Sequence, residues 1–187
     1  MLWKIIVEII TAFIPKKYRY EKRLFLRSLW NYLYVKNKAA KFSEGFSCGH
    51  SLPCSISKKT YIEKNVSIGS CYVMGSGNFI IGENTHIGPM LVVATDNHNI
   101  YGEAIPFDKT VIKKDVVIGP NCWLGVNVTL LPGTNIGEGA IIQAGSVVHG
   151  EIPPLAIAGG NPAKVFKYRD SEHYSKLKSE NKIYANS

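Results

Sequence analysis

Residues 112–148 read IKKDVVIGPNCWLGVNVTLLPGTNIGEGAIIQAGSVV. Every sixth position from the start of this stretch is aliphatic: Ile112, Ile118, Leu124, Leu130, Ile136, Ile142 and Val148. Four positions further into each unit stand Val116, Cys122, Val128, Thr134, Ala140 and Ser146, all small or β-branched. Helices repeat at about 3.6 residues and simple strands at about 2, so a sustained period of six belongs to neither. It fits a coil of short strands and tight turns, in which each aliphatic side chain points inward and stacks on its counterpart in the next coil. The interspersed Gly and Asn residues suit turns that need positive φ.

Working outward, the same period runs through Ile56, Ile62, Ile68 and Met74, and resumes one residue out of phase at Ile81, Ile87 and Val93. Residues 42–55, with Gly45, Gly49 and Pro53, read as irregular. Between Val93 and Ile112 the period is lost. A regular solenoid gains nothing structurally from such an interruption, and excursions of this kind typically carry function. After Val148 come the turn-rich 151–164 and a polar end, expected to hold a short helix and a loose tail. The expected organisation is a helical N-terminal segment over 1–45, repeats over 56–150 with an excursion at 95–111, and a C-terminal segment over 151–187. The fold class is all-β.

The net charge of +8 on 187 residues is uneven. Residues 1–41 hold ten Lys/Arg against Glu8 and Glu21, and the rest of the chain balances twelve against twelve. Residues 1–14 are apolar but too short to span a bilayer. Glu8 and the lack of an A-x-A-like site argue against a signal peptide. Residues 17–40 mix Leu24, Leu26, Leu29, Trp30, Leu33 and Tyr34 with basic side chains at helical spacing. Two readings are open: helices capping the end of the stack or packing on a neighbouring subunit, and an interfacial segment resting on anionic lipid. No nucleic-acid motif accompanies the charge, so no nucleic-acid partner is expected. The four cysteines form no CxxC pair, which points to a reducing compartment without disulfides.

Three landmarks stand in order: Asp96-Asn97-His98, then Asn121-Cys122-Trp123-Leu124-Gly125, then Gly159-Gly160-Asn161-Pro162-Ala163-Lys164. With the repeats, they resemble the hexapeptide-repeat acyltransferases, in the branch of maltose and galactoside O-acetyltransferases that includes polysaccharide O-acetyltransferases. The resemblance covers about residues 56–168. It implies a left-handed parallel β-helix of triangular section, and a homotrimer with active sites between subunits. It also implies acetyl-CoA as donor, a hydroxyl as acceptor and direct transfer without an acyl-enzyme. The N-terminal segment departs from the maltose enzymes. That departure points away from a free small sugar and towards a surface-polysaccharide unit or its precursor, acetylated in the cytoplasm beside the membrane.

Acetyl transfer to an alcohol needs a base, donors for the oxyanion and a groove for the donor's long arm. His98 matches the family's catalytic histidine, and an imidazole suits a general base because its pKa lies near working pH. Asp96, Asn97 and Asn99 are expected to orient its ring or hold the acceptor. Trp123, Gly125, Val126, Ala144 and His149 are expected along the CoA groove, with Lys164 and Lys167 on its phosphates. The plain alternatives are a loop histidine bonded to backbone, a Trp packed on the next subunit, an exposed strand-end His149 and solvated lysines. His86 reads as an outward turn residue. No metal is expected. A γ-class carbonic anhydrase would want three histidine ligands, and the His-x4-His spacing is missing. N-acylation of an amino or nucleotide sugar and a non-catalytic scaffold are the other readings.

Overall fold

The computed structural model describes residues 9, 12, 16–49 and 52–184. Short parallel strands stack into a left-handed β-helix with three faces. The first face runs Lys41–Phe42, Thr60–Ile62, Phe79–Ile81, Val116–Ile118, Asn135–Ile136 and Glu151–Ile152. The second runs Ser47–Cys48, Ser67–Ile68, His86–Ile87, Trp123–Leu124, Ile141–Ile142 and Ala156–Gly160, with Ala163–Tyr168 folded back antiparallel on its edge. The third runs Cys71–Met74, Leu91–Ala94, Thr129–Leu130 and Val147–Val148.

The six-residue period is explained by two inward positions per unit. Ile118, Leu124, Leu130, Ile136, Ile142 and Val148 are buried, and so are Val116, Cys122, Val128, Thr134, Ala140 and Ser146. In register, Ile81 pairs with Ile118 and Ile118 with Ile136, so like side chains form continuous columns. The buried hydroxyls bond to turn carbonyls: Thr134 Oγ1 donates to Leu131 O at 2.7 Å and Ser146 Oγ to Gln143 O at 2.7 Å. At one corner Asn65, Asn84 and Asn121 all take positive φ. Their side-chain amides bond in a ladder, Asn65 to Asn84 at 3.0 Å and Asn84 to Asn121 at 3.2 Å. Asparagine tolerates this conformation because its short polar side chain bonds locally.

Four expectations need correction. Ile112 is not an inward residue; it is exposed on an antiparallel strand. Met74 is outward too, and Val73 takes the buried place opposite Val93. Residues 42–55 are not irregular: Lys41–Phe42 and Ser47–Cys48 pair with the next coil, closed over Phe46, Cys54 and Ile56. The β-helix also continues past 150, through Ile152, Ala156 and Ala158.

A helix, α1 (Lys16–Lys38), closes the open end of the first coil. Ser28 Oγ donates to Cys48 O at 2.9 Å, and Asn31 Nδ2 donates to Gly49 O and Leu52 O at 3.0 Å each. Tyr32, Phe42 and Phe46 pack ring to ring beside buried Val35. The helix thereby covers edge strands that would otherwise invite pairing. Lys36 and Lys38 in its last turn complement the helix dipole. The reading of residues 1–14 lies outside the described residues apart from helical Ile9 and Ala12. Among the described residues no helix is long and apolar enough to cross a membrane. At the other end, α2 (Ser171–Ser179) is capped by Asp170, whose carboxylate accepts from His173 N at 2.9 Å.

Candidate active site

The excursion is a β-hairpin standing off the edge where the third face turns into the first. Asp96–His98 pairs antiparallel with Val111–Lys113, so Asn97 faces Ile112 and His98 faces Val111. Lys114 N donates to Thr95 O at 3.0 Å and closes the base. At the tip Asp108 accepts from Thr110 Oγ1 at 2.5 Å, Glu103 N at 3.0 Å and Thr110 N at 2.8 Å, and these bonds hold its carboxyl below the usual range. The hairpin is thus a braced arm rather than a loose loop.

His98 is exposed on this arm. Its ring lies flat on Phe107, with centroids 3.6 Å apart and planes 8° from parallel. Beside it opens a cleft of about 440 Å³ lined by Asn97, His98, Ile112, Lys114 and Pro132 among others. Of the side chains expected to orient the ring, Asp96 is occupied elsewhere: its Oδ2 accepts from Ser76 N at 2.8 Å and Ser76 Oγ at 2.7 Å. Asn99 Oδ1 accepts from Tyr101 N at 3.0 Å, a local turn bond. Asn97 faces the cleft. Phe107 was not among the expected site residues; the one signal for it was an aromatic side chain in the stretch between Val93 and Ile112 where the period is lost.

Gly125, Val126 and Ala144 lie together on a different corner, where the second face turns into the third. Gly145 N donates to Val126 O at 2.9 Å and Asn127 N to Pro89 O at 2.9 Å, which stacks the corner coil on coil. A Cβ on Gly125 would stand 2.5 Å from Ala144 N, so only glycine permits this approach. Val126 and Ala144 are exposed, and among the described residues neither backbone N–H has a hydrogen-bond partner. The last landmark arrives at the same corner. Gly160 N donates to Ser146 Oγ at 3.2 Å, and Gly159 abuts Gln143 and pairs with exposed Lys164.

The remaining expected residues fall elsewhere. Trp123 points outward from the second face into a cleft of about 620 Å³, shared with Arg169, Tyr174 and Leu177 of the C-terminal segment. Lys167 borders a shallow recess with Asp170 and Glu172. His149 is exposed one coil beyond Pro132, on the His98 edge and not the Val126 edge. Within one chain, then, the third face separates His98 and His149 from Val126, Ala144 and Lys164. His86 pairs with Trp123 on the second face, so it shares no ligand set with His98. Cys122 is no nucleophile: it is buried, its Sγ donates to Gly137 O at 3.2 Å, and burial pushes its pKa up to about 12.

Residues 115–150 match the family model for bacterial transferase hexapeptides (six repeats). The chain is 32% identical over 151 residues to a putative lipopolysaccharide biosynthesis O-acetyl transferase, WbbJ, of Escherichia coli K12, covering 74% of this chain and 77% of that one. It is 31% identical to the galactoside O-acetyltransferase of the same organism, over 70% of this chain and 62% of that one. The fold is similar to that of a hexapeptide-repeat acetyltransferase from Vibrio cholerae, with a TM-score of 0.65, 21% identity and 88% coverage of both chains. It is also similar to that of a galactoside acetyltransferase solved with coenzyme A, with a TM-score of 0.62, 22% identity and coverage of 81% and 84%. The repeats and these likenesses agree: the chain belongs to the hexapeptide-repeat acyltransferases, in the branch that includes galactoside O-acetyltransferase.

Proposed function

We propose that the protein transfers an acetyl group from acetyl-CoA to a sugar hydroxyl of a surface polysaccharide or its precursor, in the cytoplasm, as a homotrimer. The observation that carries this is the placement of His98 and of the Val126–Ala144 corner on opposite edges of one face. A chain by itself holds a base without an acyl slot on one edge, and a slot without a base on the other. A cyclic trimer brings the first edge of one copy to the second edge of the next. The name of the relative in lipopolysaccharide biosynthesis, and a neighbour solved with coenzyme A, support donor and acceptor class.

In the step so assembled, the acceptor hydroxyl sits in the Asn97–Ile112 cleft and its oxygen attacks the thioester carbonyl carbon. His98 takes the hydroxyl proton as the C–O bond forms. The unpaired N–H groups of Val126 and Ala144 are donors for the acyl or pantetheine oxygens, and Lys164 lies beyond them for phosphate. The C–S bond then breaks, and the thiolate recovers a proton from the imidazolium. Trp123, Lys167 and His149 line the route only if the donor extends onto the second face or the next copy. The test is a mass-spectrometric acceptor screen with acetyl-CoA and matched hydroxyl and amino sugars. Ester product on a sugar hydroxyl is expected. Amide product alone would replace this reading with N-acylation.

A further inference from the structure

Helix α1 carries two apolar stripes, and the cap uses only one. Ser28, Asn31, Tyr32 and Val35 face the first coil. Phe25, Leu29 and Leu33 recur at four-residue spacing on the flank beside that face, where they are 64%, 42% and 42% exposed. Exposed Lys22 and Lys36 stand at the two ends of this second stripe. At about 100° per residue all five fall within about 80° of arc. The cap therefore needs a helix with one apolar face and receives a helix with two.

We infer that this outer stripe is a docking surface for an anionic lipid bilayer. Three large apolar side chains in line, with cations at both ends, match a helix lying in the headgroup plane with its apolar side among the acyl chains. Residues 1–41 concentrate the whole net charge of the chain. That excess favours a negatively charged surface and disfavours the same stripe on another copy, which would bring two such segments face to face. Position adds to the argument. The helix closes one end of the rod, so the exposed stripe lies at that end. In the trimer proposed above, three stripes share that end and meet one plane together, so that binding of one raises the effective concentration of the others. Only this last step rests on the trimer; the stripe itself does not rest on acyl transfer.

The test is co-sedimentation of the full chain with vesicles of phosphatidylcholine, and with vesicles of phosphatidylcholine mixed with phosphatidylglycerol. Partitioning into the mixed vesicles is expected to exceed that into phosphatidylcholine by about tenfold or more, and to fall with added salt. Replacing Phe25, Leu29 and Leu33 together by Gln, a good helix former, should remove about tenfold or more of it while circular dichroism and turnover of a soluble acceptor are kept. The milder pair Lys22→Gln and Lys36→Gln should weaken the preference for phosphatidylglycerol. Equal partitioning into both vesicle types would overturn the proposal, as would a triple variant that partitions like the parent. A triple variant with a changed sedimentation coefficient would overturn it in favour of a subunit contact. A parent protein that partitions as a monomer keeps the stripe and loses the trimer.

Discussion

The ring of Phe107 is the platform on which the His98 imidazole rests, 3.6 Å away and 8° from parallel. Aromatic contacts of this kind contribute about 0.5–1.5 kcal/mol beyond the area they bury. The larger consequence is positional, because the stacking covers one face of the ring and leaves its edge open. If His98 is the base proposed above, Phe107 is its positioning residue. Phe107→Ala is expected to lower kcat by about 10- to 100-fold with little change in KM for acetyl-CoA, since misplacement by about 1 Å costs on that order. Phe107→Tyr should restore most of the rate. Steady-state kinetics decide it: equal losses in the Ala and Tyr variants would show that the platform does not set the ring.

Asp96 sits two residues from His98 yet bonds to Ser76 and not to the ring. Its role is to pin the base of the arm to the coil above. Asp96→Ala leaves the Ser76 N–H and O–H without their acceptor, which costs about 1–3 kcal/mol and lets the arm shift. Asp96→Asn keeps an acceptor there and should stay close to the parent in both melting temperature and kcat. A large kcat loss and a displaced pH–rate profile in Asp96→Asn, with stability intact, would instead assign the carboxylate to the imidazole.

The period of six made the inward columns legible, because each inward residue repeats against a chemically similar one. It also misled at its ends. Ile112 falls on the period by spacing alone, and nothing in the sequence separates it from Ile118. Only the pairing of Asn97 with Ile112 puts it on the arm. The first coil was missed because Phe46, Cys48 and Cys54 fill inward places with atypical side chains. His98 was legible as the histidine in the interruption, whereas Phe107 and the Ser76 anchor depend on how the hairpin folds. The two isoleucines now separate experimentally. Ile118→Ala empties a buried column and should cost about 2–5 kcal/mol. Ile112→Ala should stay within about 0.5 kcal/mol and act on KM for the acceptor through the cleft wall. Denaturant melts of both variants measure this; equal destabilisation would return Ile112 to the core.

Helix α2 is held to the coils through one carboxylate. Glu138 pairs with Lys178, and accepts from the Tyr174 hydroxyl at 2.9 Å and from Asn121 Nδ2 at 3.4 Å. Lys178 holds the Glu138 carboxyl below its usual range, against the effect of partial burial. A depressed folded value means that the stabilisation is complete above the unfolded pKa, about 4.3, and is lost as pH falls through the folded one. Tyr174 goes the other way, pushed up to about 12 by burial and then by its bond to Glu138. Its contribution is complete below about 10 and is lost as pH rises through the folded value. Phenolate absorbance, taken as parent minus Tyr174→Phe, should therefore show one late-ionising tyrosine. In Glu138→Gln that ionisation should move part of the way back, because burial remains. An unchanged late step in Glu138→Gln would leave burial as the sole cause.

Whether one site needs two chains can be read from mixtures of two defective proteins. His98→Ala removes the proposed base from one edge of the third face, and Ala144→Trp fills the exposed corner on the other. In the proposed trimer each variant alone is expected to be inactive, or nearly so: general-base loss costs about 10²–10⁴ in rate, and the Trp side chain blocks the corner. Random co-assembly in equal amounts places an intact His98 edge against an intact corner at about one quarter of the interfaces. Turnover near one quarter of the parent is then expected, provided the chains are mixed before assembly. If base and corner served each other within one chain, every chain in the mixture would carry a defect in its own site, and activity would stay at background. The mixture thus discriminates the two geometries by recovery against none, and recovery is the outcome expected from the proposed intersubunit site.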